Sequence, residues 1–250
     1  MYVPAHFAMT DEQIHHILTT MGVAQLITHH PAEGLAATPV PFLFDPPRGP
    51  QGEPGQQGPS GETGEPGALG GHGKHGSLLG HLARNNTQWS LPTTSEALVI
   101  IDAGDHYVSP SWLPSSADHG KTVPTWDYVT VHVHGELIAH DDPGWTRELV
   151  TRLTERHERA LSPGWSVQDA APGYIEAMVR AIVGIEVRIT RVVGKAKMAQ
   201  NKTPADVAAL ADIVAAQGDT PGERWLREVS LPAAQGRAAL LTEVAARRRR

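Results

Sequence analysis

The stretch TWDYVTVHVHG, residues 125–135, alternates two kinds of side chain with a period of two. Successive side chains of a strand point to opposite faces, so Val129, Val131 and Val133 form one aliphatic face that belongs in a core. Trp126, Tyr128, Thr130, His132 and His134 form the other, which combines aromatic surface with hydrogen-bonding heads. Such a face suits a planar heteroaromatic ligand or a polar subunit interface, and the plainer reading is a partly exposed strand with a polar outer side. The strand pattern persists to about Ala139 and is the longest in the chain. It leads through Asp142 and Pro143, a good helix start, into a helix ending near Arg159, with Trp145, Leu149 and Leu153 as its apolar stripe.

Working outward, Thr10 and Gln13 have capping-box spacing, and Ile14, Ile17, Leu18 and Met21 share a face, which predicts a helix over residues 10–21. Residues 23–28 and 35–44 read as a β-pair, the second pushed towards an edge or a bulge by Pro39 and Pro41. Strands are expected at 78–82, 97–101, 106–109 and 184–198, with a short helical piece at 83–89 and a proline-rich loop at 110–124. Further helices are expected at 174–181, 204–216 and 221–229, followed by a weakly structured tail rich in Ala and Arg. About seven strands with helices at the ends and in one connection argue for an α+β barrel rather than a doubly wound parallel sheet. No G-x-G-x-x-G or Walker glycine loop is present.

With 250 residues and 40% hydrophobic content, the chain can bury one substantial core. Cysteine is absent, which excludes disulfides, a thiolate nucleophile and sulfur-ligated zinc. The opening MYVPAHFAM carries no export leader and no segment approaches a membrane span, so a cytoplasmic protein with no membrane partner is expected. The net charge of -6 opposes a broad footprint for DNA, with the four arginines at 247–250 as a local exception that reads as a solvated terminus.

From residue 49 to residue 76 every third position is glycine, with Pro50, Pro54, Pro59 and Pro66 between them, a collagen-like G-X-Y run. As a triple helix it would hold its ends roughly 90 Å apart at ~3.1 Å per residue. Leu43 and Leu78, on its flanks, instead read as members of neighbouring strands about 5 Å apart. A loop that leaves and returns, without a core of its own, is the expectation; trimerisation through the run is the alternative.

Several segments could carry chemistry. His132-x-His134 places two imidazoles on one side, but Glu136 and Asp141 stand at the wrong offsets to complete a metal set, so no metal is expected. Lys195 and Lys197 project from one strand face, where like charges favour an anion such as phosphate or simple solvation. Gln200 and Asn201 follow with amides that both donate and accept, as a flavin ring edge or ribityl chain would require. The loop SPSWLPSSADHGKTVPT contributes Ser109, Ser111, Trp112 and Lys121, held by prolines that lower the cost of ordering a site. In GHLARNNTQW, His81 and Arg84 are candidates, the arginine for phosphate, with Trp89 as a core anchor.

In their order and spacing, MYVPAHF, GHLARNNTQW, SPSW, HGKTVPTWDYVTVHVHG, AIVGIEV and KAKMAQN resemble the PaiB-like family of FMN-binding negative transcriptional regulators, from Met1 to about Asn201. The resemblance implies an FMN-binding split β-barrel over residues 1–202, interrupted by the insertion at 46–77 and followed by C-terminal helices at 203–250. It further implies a homodimer related to pyridoxamine-phosphate-oxidase-like flavoproteins, with FMN near the subunit interface. The FMN-binding candidates are then His81, Arg84, Ser109, Ser111, Trp112, Lys121, Thr125, Trp126, Tyr128, His132, Lys195, Lys197, Gln200 and Asn201. The chain departs from the family pattern at Asp127 for Asn, Leu113 for Tyr, Thr87 for Pro and Ala199 for Ser, and the G-X-Y insertion is its own.

Three functions fit this reading. One is a regulator of sporulation and protease genes whose signal is flavin occupancy or redox state, although the terminal helices lack a helix-turn-helix pattern for DNA. Another is an FMN-dependent oxidoreductase in which His132 or Tyr128 positions a substrate. The third is an assembly protein that uses the G-X-Y run as an arm.

Overall fold

A computed structural model describes residues 1–47, 75–90, 96–161 and 163–248, so most of the insertion expected at 46–77 lies outside the described residues. In chain order the elements are α1 (Asp11–Thr20), β1 (Val23–His30), β2 (Gly34–Pro41), β3 (Leu43–Asp45), β4 (Ser77–Ala83) and β5 (Ala97–Val108). They continue with α2 (Pro114–His119), β6 (Thr125–His140), α3 (Pro143–Glu158), α4 (Tyr174–Arg180), β7 (Ile182–Lys197), α5 (Pro204–Ala216), α6 (Thr220–Trp225) and α7 (Leu231–Arg248). The strands form a seven-stranded antiparallel sheet in the order β2-β1-β5-β6-β7-β4-β3, and the class is α+β.

The chain divides into two compact units, one made of residues 1–17, 102–131 and 193–250, the other of residues 18–101 and 132–192. Residues 203–248 therefore group with parts of the N-terminal segment and of the long strands. The second unit holds β1 to β4 and one part each of β5, β6 and β7. Its two outermost strands, β2 and β3, are consecutive in sequence with only Phe42 between them, so the sheet closes into a split β-barrel at that residue. Phe42 is fully buried, and a Cβ on Gly80 would stand 2.8 Å from Val40 and 3.0 Å from the Phe42 ring. The corner is that tight because a strand leaving one edge must enter the other within a single residue. Leu43 and Phe44 pair with Leu79 and Leu78, so the flanks of the G-X-Y run are neighbouring strands, as their sequence indicated.

On the outer side of this barrel α3 lays Leu149 and Leu153 against Leu79, with Trp145 and Leu43 alongside. Asp142 caps α3 by accepting from the Trp145 N–H at 2.7 Å, and Pro143 occupies its first turn. Trp145 stacks on His140 with ring centroids 4.1 Å apart. His140 Nε2 lies 3.0 Å from the fully buried Glu186, which also accepts from Ser77 Oγ at 2.7 Å. A buried carboxylate persists only with such partners.

In the first unit the remaining parts of β5, β6 and β7 accompany α2 and α5 to α7. α5 starts with a capping box between Thr203 and Asp206 and buries Val207, Leu210, Ala211 and Val214. Each larger side chain so buried contributes about 2 kcal/mol. The N-terminal segment joins this unit through a bridge between Ala8 and Lys195. α1 opens with the anticipated box, the Thr10 N–H bonding Gln13 Oε1 at 2.9 Å and the Gln13 N–H bonding Thr10 Oγ1 at 3.2 Å.

Three expectations are corrected. The strands expected at 97–101 and 106–109 are one strand, β5, because Gly104 takes a φ of +112° within it instead of ending it. The proline-rich loop at 110–124 contains α2, which begins at Pro114 and ends at Gly120 in the left-handed region. The tail expected to be weakly structured is α7: its alanines have the highest helix propensity, Ala234 is buried, and Glu243 pairs with Arg247 one turn on. Among the described residues, no helix is long and apolar enough to cross a membrane.

Candidate functional site

The face singled out on residues 125–135 becomes a site in the first unit, where β6 lies between β5 and β7. Val129, Val131 and Val133 are buried, which turns Trp126 and Tyr128 to the opposite side. Trp126 is 57% exposed and Tyr107, from β5, 41%. The Tyr107 ring meets Trp126 edge-on at 6.0 Å and Trp112 at 5.9 Å, so three aromatic rings from β5, β6 and the loop before α2 form one open cluster. Soluble proteins rarely leave contiguous aromatic surface uncovered without a use for it.

Cations stand beside this cluster. Lys195 Nζ lies 5.2 Å and Lys197 Nζ 5.9 Å from the centroid of the Tyr128 ring, within the range of cation–π attraction. Lys197 donates to Thr125 Oγ1 at 2.8 Å, to the Trp126 carbonyl and to Asp127 Oδ1 at 3.3 Å. Ser109 accepts from the Ser111 N–H at 3.3 Å, and their hydroxyls stand 2.8 Å apart. Lys121 is exposed in the segment leading to β6.

Below the lysines lies a buried charge cluster. Asp127 is 1% exposed, and burial pushes its carboxyl above the ordinary aspartate range against the opposing pull of Lys197 and His106. His106 Nε2 stands 3.9 Å from Asp127 Oδ2, and His106 Nδ1 stands 3.4 Å from Asp219 Oδ2.

Eleven candidates thus fall in the first unit: Ser109, Ser111, Trp112, Lys121, Thr125, Trp126, Tyr128, Lys195, Lys197, Gln200 and Asn201. Gln200 is corrected: its amide accepts from the Met198 N–H at 2.9 Å and donates to the Ala196 carbonyl at 2.7 Å, so it holds the turn after β7. That turn includes Ala199 at φ +63°, the one non-glycine residue with positive φ among those described. Asn201 is exposed, and its carbonyl accepts from Arg237 at 2.7 Å.

His81, Arg84 and His132 belong to the second unit. Arg84 is also corrected, since its guanidinium bonds Asp141 at 2.7 Å and the carbonyls of Arg180 at 2.8 Å and Ile182 at 3.2 Å, tying strand ends together rather than waiting for phosphate. His81 lies beside a cleft of about 350 Å³ with Leu153 and Trp165, and burial lowers its pKa. His132 and its neighbour His134 are half-buried, and burial, then Arg191, lowers the pKa of His134. Among the described residues no three histidines or carboxylates converge as metal ligands.

Sequence reasoning missed Tyr107 and the pair His106 and Asp219. Tyr107 had a signal, because it stands two residues before Ser109 and so shares its face of the strand. The contact of His106 with Asp219 had none, because more than a hundred residues separate them.

An open aromatic cluster, two ammonium groups beside Tyr128 and the hydroxyls of Ser109, Ser111 and Thr125 in neighbouring segments match a planar ring system carrying a phosphorylated polyol, as in a flavin mononucleotide. A family model described as "Putative FMN-binding domain" matches residues 1–191. The Bacillus subtilis "Protease synthase and sporulation protein PAI 2" is 27% identical over 130 residues, covering 52% of this chain and 60% of that protein. "Uncharacterized protein YKL070W" of Saccharomyces cerevisiae is 37% identical over 93 residues, covering 36% of this chain and 55% of its own. The chain spans less than two thirds of the length of the curated relatives it matches. Among solved structures, the flavocytochrome Anf3 of Azotobacter vinelandii is similar at 11% identity and a TM-score of 0.46, over 75% of this chain and 67% of its own. With a matched region that covers most of its length, this chain belongs to the FMN-binding domain family, whose cofactor is FMN.

Proposed function

We propose that the chain is a flavin-responsive negative transcriptional regulator of the PaiB-like type, active as a cytoplasmic homodimer. Tyr107, Trp112 and Trp126 carry the ring system, Lys195 and Lys197 meet the phosphate, and the hydroxyls of Ser109, Ser111 and Thr125 face the ribityl chain. The observation that carries this reading is the pair of lysines beside Tyr128, adjoining an exposed aromatic cluster on the same sheet face. Bound there, FMN supplies redox chemistry that no side chain of this protein has, while the residues bind it, orient it and exclude water from one side. The similarity to the sporulation protein PAI 2 supports the regulatory half. The test is the visible spectrum of the purified chain and its titration with FMN, followed by retardation of promoter fragments at low salt with and without flavin. A chain that is colourless as purified and retains no flavin after excess FMN is removed overturns the flavin reading, and a flavin-loaded chain that retards no fragment overturns direct repression.

A second reading, an FMN-dependent oxidoreductase, is favoured by the openness of Trp126, which leaves a route for a second reactant. Turnover of a reduced nicotinamide by the flavin-loaded chain supports it, and complete inactivity removes it.

A further inference from the structure

We propose that Asp127 is a positioning residue that holds Lys197 away from phosphate while ionised, so that the chain takes up phosphorylated flavin more tightly once this carboxyl gains a proton. The inference rests on the reading that the lysine-flanked aromatic face binds FMN.

An ammonium group has three donors and no acceptor. Those of Lys197 are met by Thr125 Oγ1, the Trp126 carbonyl and Asp127 Oδ1, so an arriving phosphate must displace one of them. Lys195 differs: its ammonium faces the Tyr128 ring and is the readier of the two to meet an anion. Of the three partners of Lys197 only Asp127 is charged, and it is the one whose charge also repels a phosphate at short range.

Asp127 is poorly placed to keep that charge. It is buried, its Oδ2 has no hydrogen-bond partner, and the nearest cation-forming group on that side, His106 Nε2, is 3.9 Å away and also lacks a hydrogen bond. An ionised carboxylate with one oxygen desolvated and unpaired is costly, and protonation relieves the cost. The groups that face it are Lys197 and Lys202 from β7 and the turn beyond, and His106 from β5, which Asp219 ahead of α6 touches in turn. Burial is the largest influence on the carboxyl and raises its pKa, so the release of Lys197 falls above the ordinary aspartate range. Neutral Asp127 leaves the lysine with two uncharged partners, and the phosphate then faces two cations without a competing anion.

The experiment titrates the full chain and its Asp127→Asn variant with FMN and with riboflavin, between about pH 4.5 and about pH 8.5, by quenching of flavin fluorescence. The second phosphate proton, with a pKa of about 6, can at most roughly halve the repulsion free energy from an ionised Asp127, so it is a ratio that falls all the way to about one at the acid end that reports loss of the carboxylate charge. The expected ratio of wild-type to variant Kd for FMN is roughly tenfold at the alkaline end and approaches one at the acid end, while the riboflavin ratio stays near one. A ratio that does not change with pH, or an equal slope with riboflavin, overturns the proposal. If neither protein takes up either flavin, it is the FMN reading that fails, and the latch is then read with inorganic phosphate as the probe. A larger phosphate-induced rise in melting temperature for the variant at the alkaline end supports the latch, and equal rises overturn it.

Discussion

Replacing Asp206 by Ala removes a tie on which the aromatic cluster depends. Its carboxylate accepts from the Ser115 N–H at 2.9 Å, from the Ser115 hydroxyl at 2.7 Å and from the Thr203 N–H at 3.4 Å, and the residue is buried. Ser115 belongs to α2, which begins two residues after Trp112, so one carboxylate clamps the Trp112 segment to the start of α5. The two strong bonds to an ionised acceptor are worth about 1.5 kcal/mol each at least. A carboxylate in the first turn of a helix adds about 0.5 kcal/mol, so the loss is about 3–5 kcal/mol. In a chain of this size that lowers the melting temperature by roughly 10 °C.

The pH dependence of that loss has a definite sign. Burial pushes the Asp206 carboxyl up, but the hydrogen bonds from Ser115 and Thr203 outweigh it and hold the group below its ordinary value. A depressed folded-state pKa gives stability that is present above the unfolded value, about 3.9, and lost as pH falls through the folded one. Urea unfolding of both proteins, followed by tryptophan fluorescence, should show a constant gap from neutral pH to about pH 5 that narrows below about pH 4. A gap under about 1 kcal/mol, or one that persists unchanged to about pH 2.5, refutes the account of this clamp.

Other predictions concern the second unit. Glu186→Ala, which strips Ser77 and His140 of their shared buried acceptor, should cost about 3–5 kcal/mol in urea unfolding; a cost under about 1 kcal/mol would show the cluster to be idle. Gly184→Ala places a Cβ against the Trp145 ring and should cost about 1–3 kcal/mol, with a changed near-ultraviolet circular dichroism signal from the Trp145–His140 stack. An unchanged spectrum would count against that packing. Arg84→Gln should leave the FMN Kd within about twofold, because its guanidinium already serves Asp141 and two carbonyls; a tenfold loss, about 1.4 kcal/mol, would return it to the phosphate site.

Much of the fold was legible along the chain. The period-two pattern of residues 125–135 places Val129, Val131 and Val133 of β6 in the core, although Thr130 on the other face is buried too, and the Thr10 and Gln13 box and the Asp142-Pro143 start mark two helix beginnings. The elements that were misread have local causes. Gly104 looks like a break because glycine ends many strands, yet the neighbouring strands hold β5 together through it. Gln200 reads as a free amide because its partners, the Met198 N–H that donates to it and the Ala196 carbonyl that accepts from it, come within reach only once the turn has formed.

By itself the sequence determined the α+β class, the alternating strand with its aromatic side, the lysine pair two residues apart and the family to which these belong. Side-chain periodicity and motif order are properties of the chain, and they need no distant contact to be read. Only the tertiary structure decided that Tyr107 completes the aromatic cluster, that Arg84 is spent on Asp141, and that Asp127 sits buried between Lys197 and His106. Each of those depends on which segments meet after folding and on how much water is excluded when they do, and desolvation is a property of the packed surroundings rather than of any residue alone.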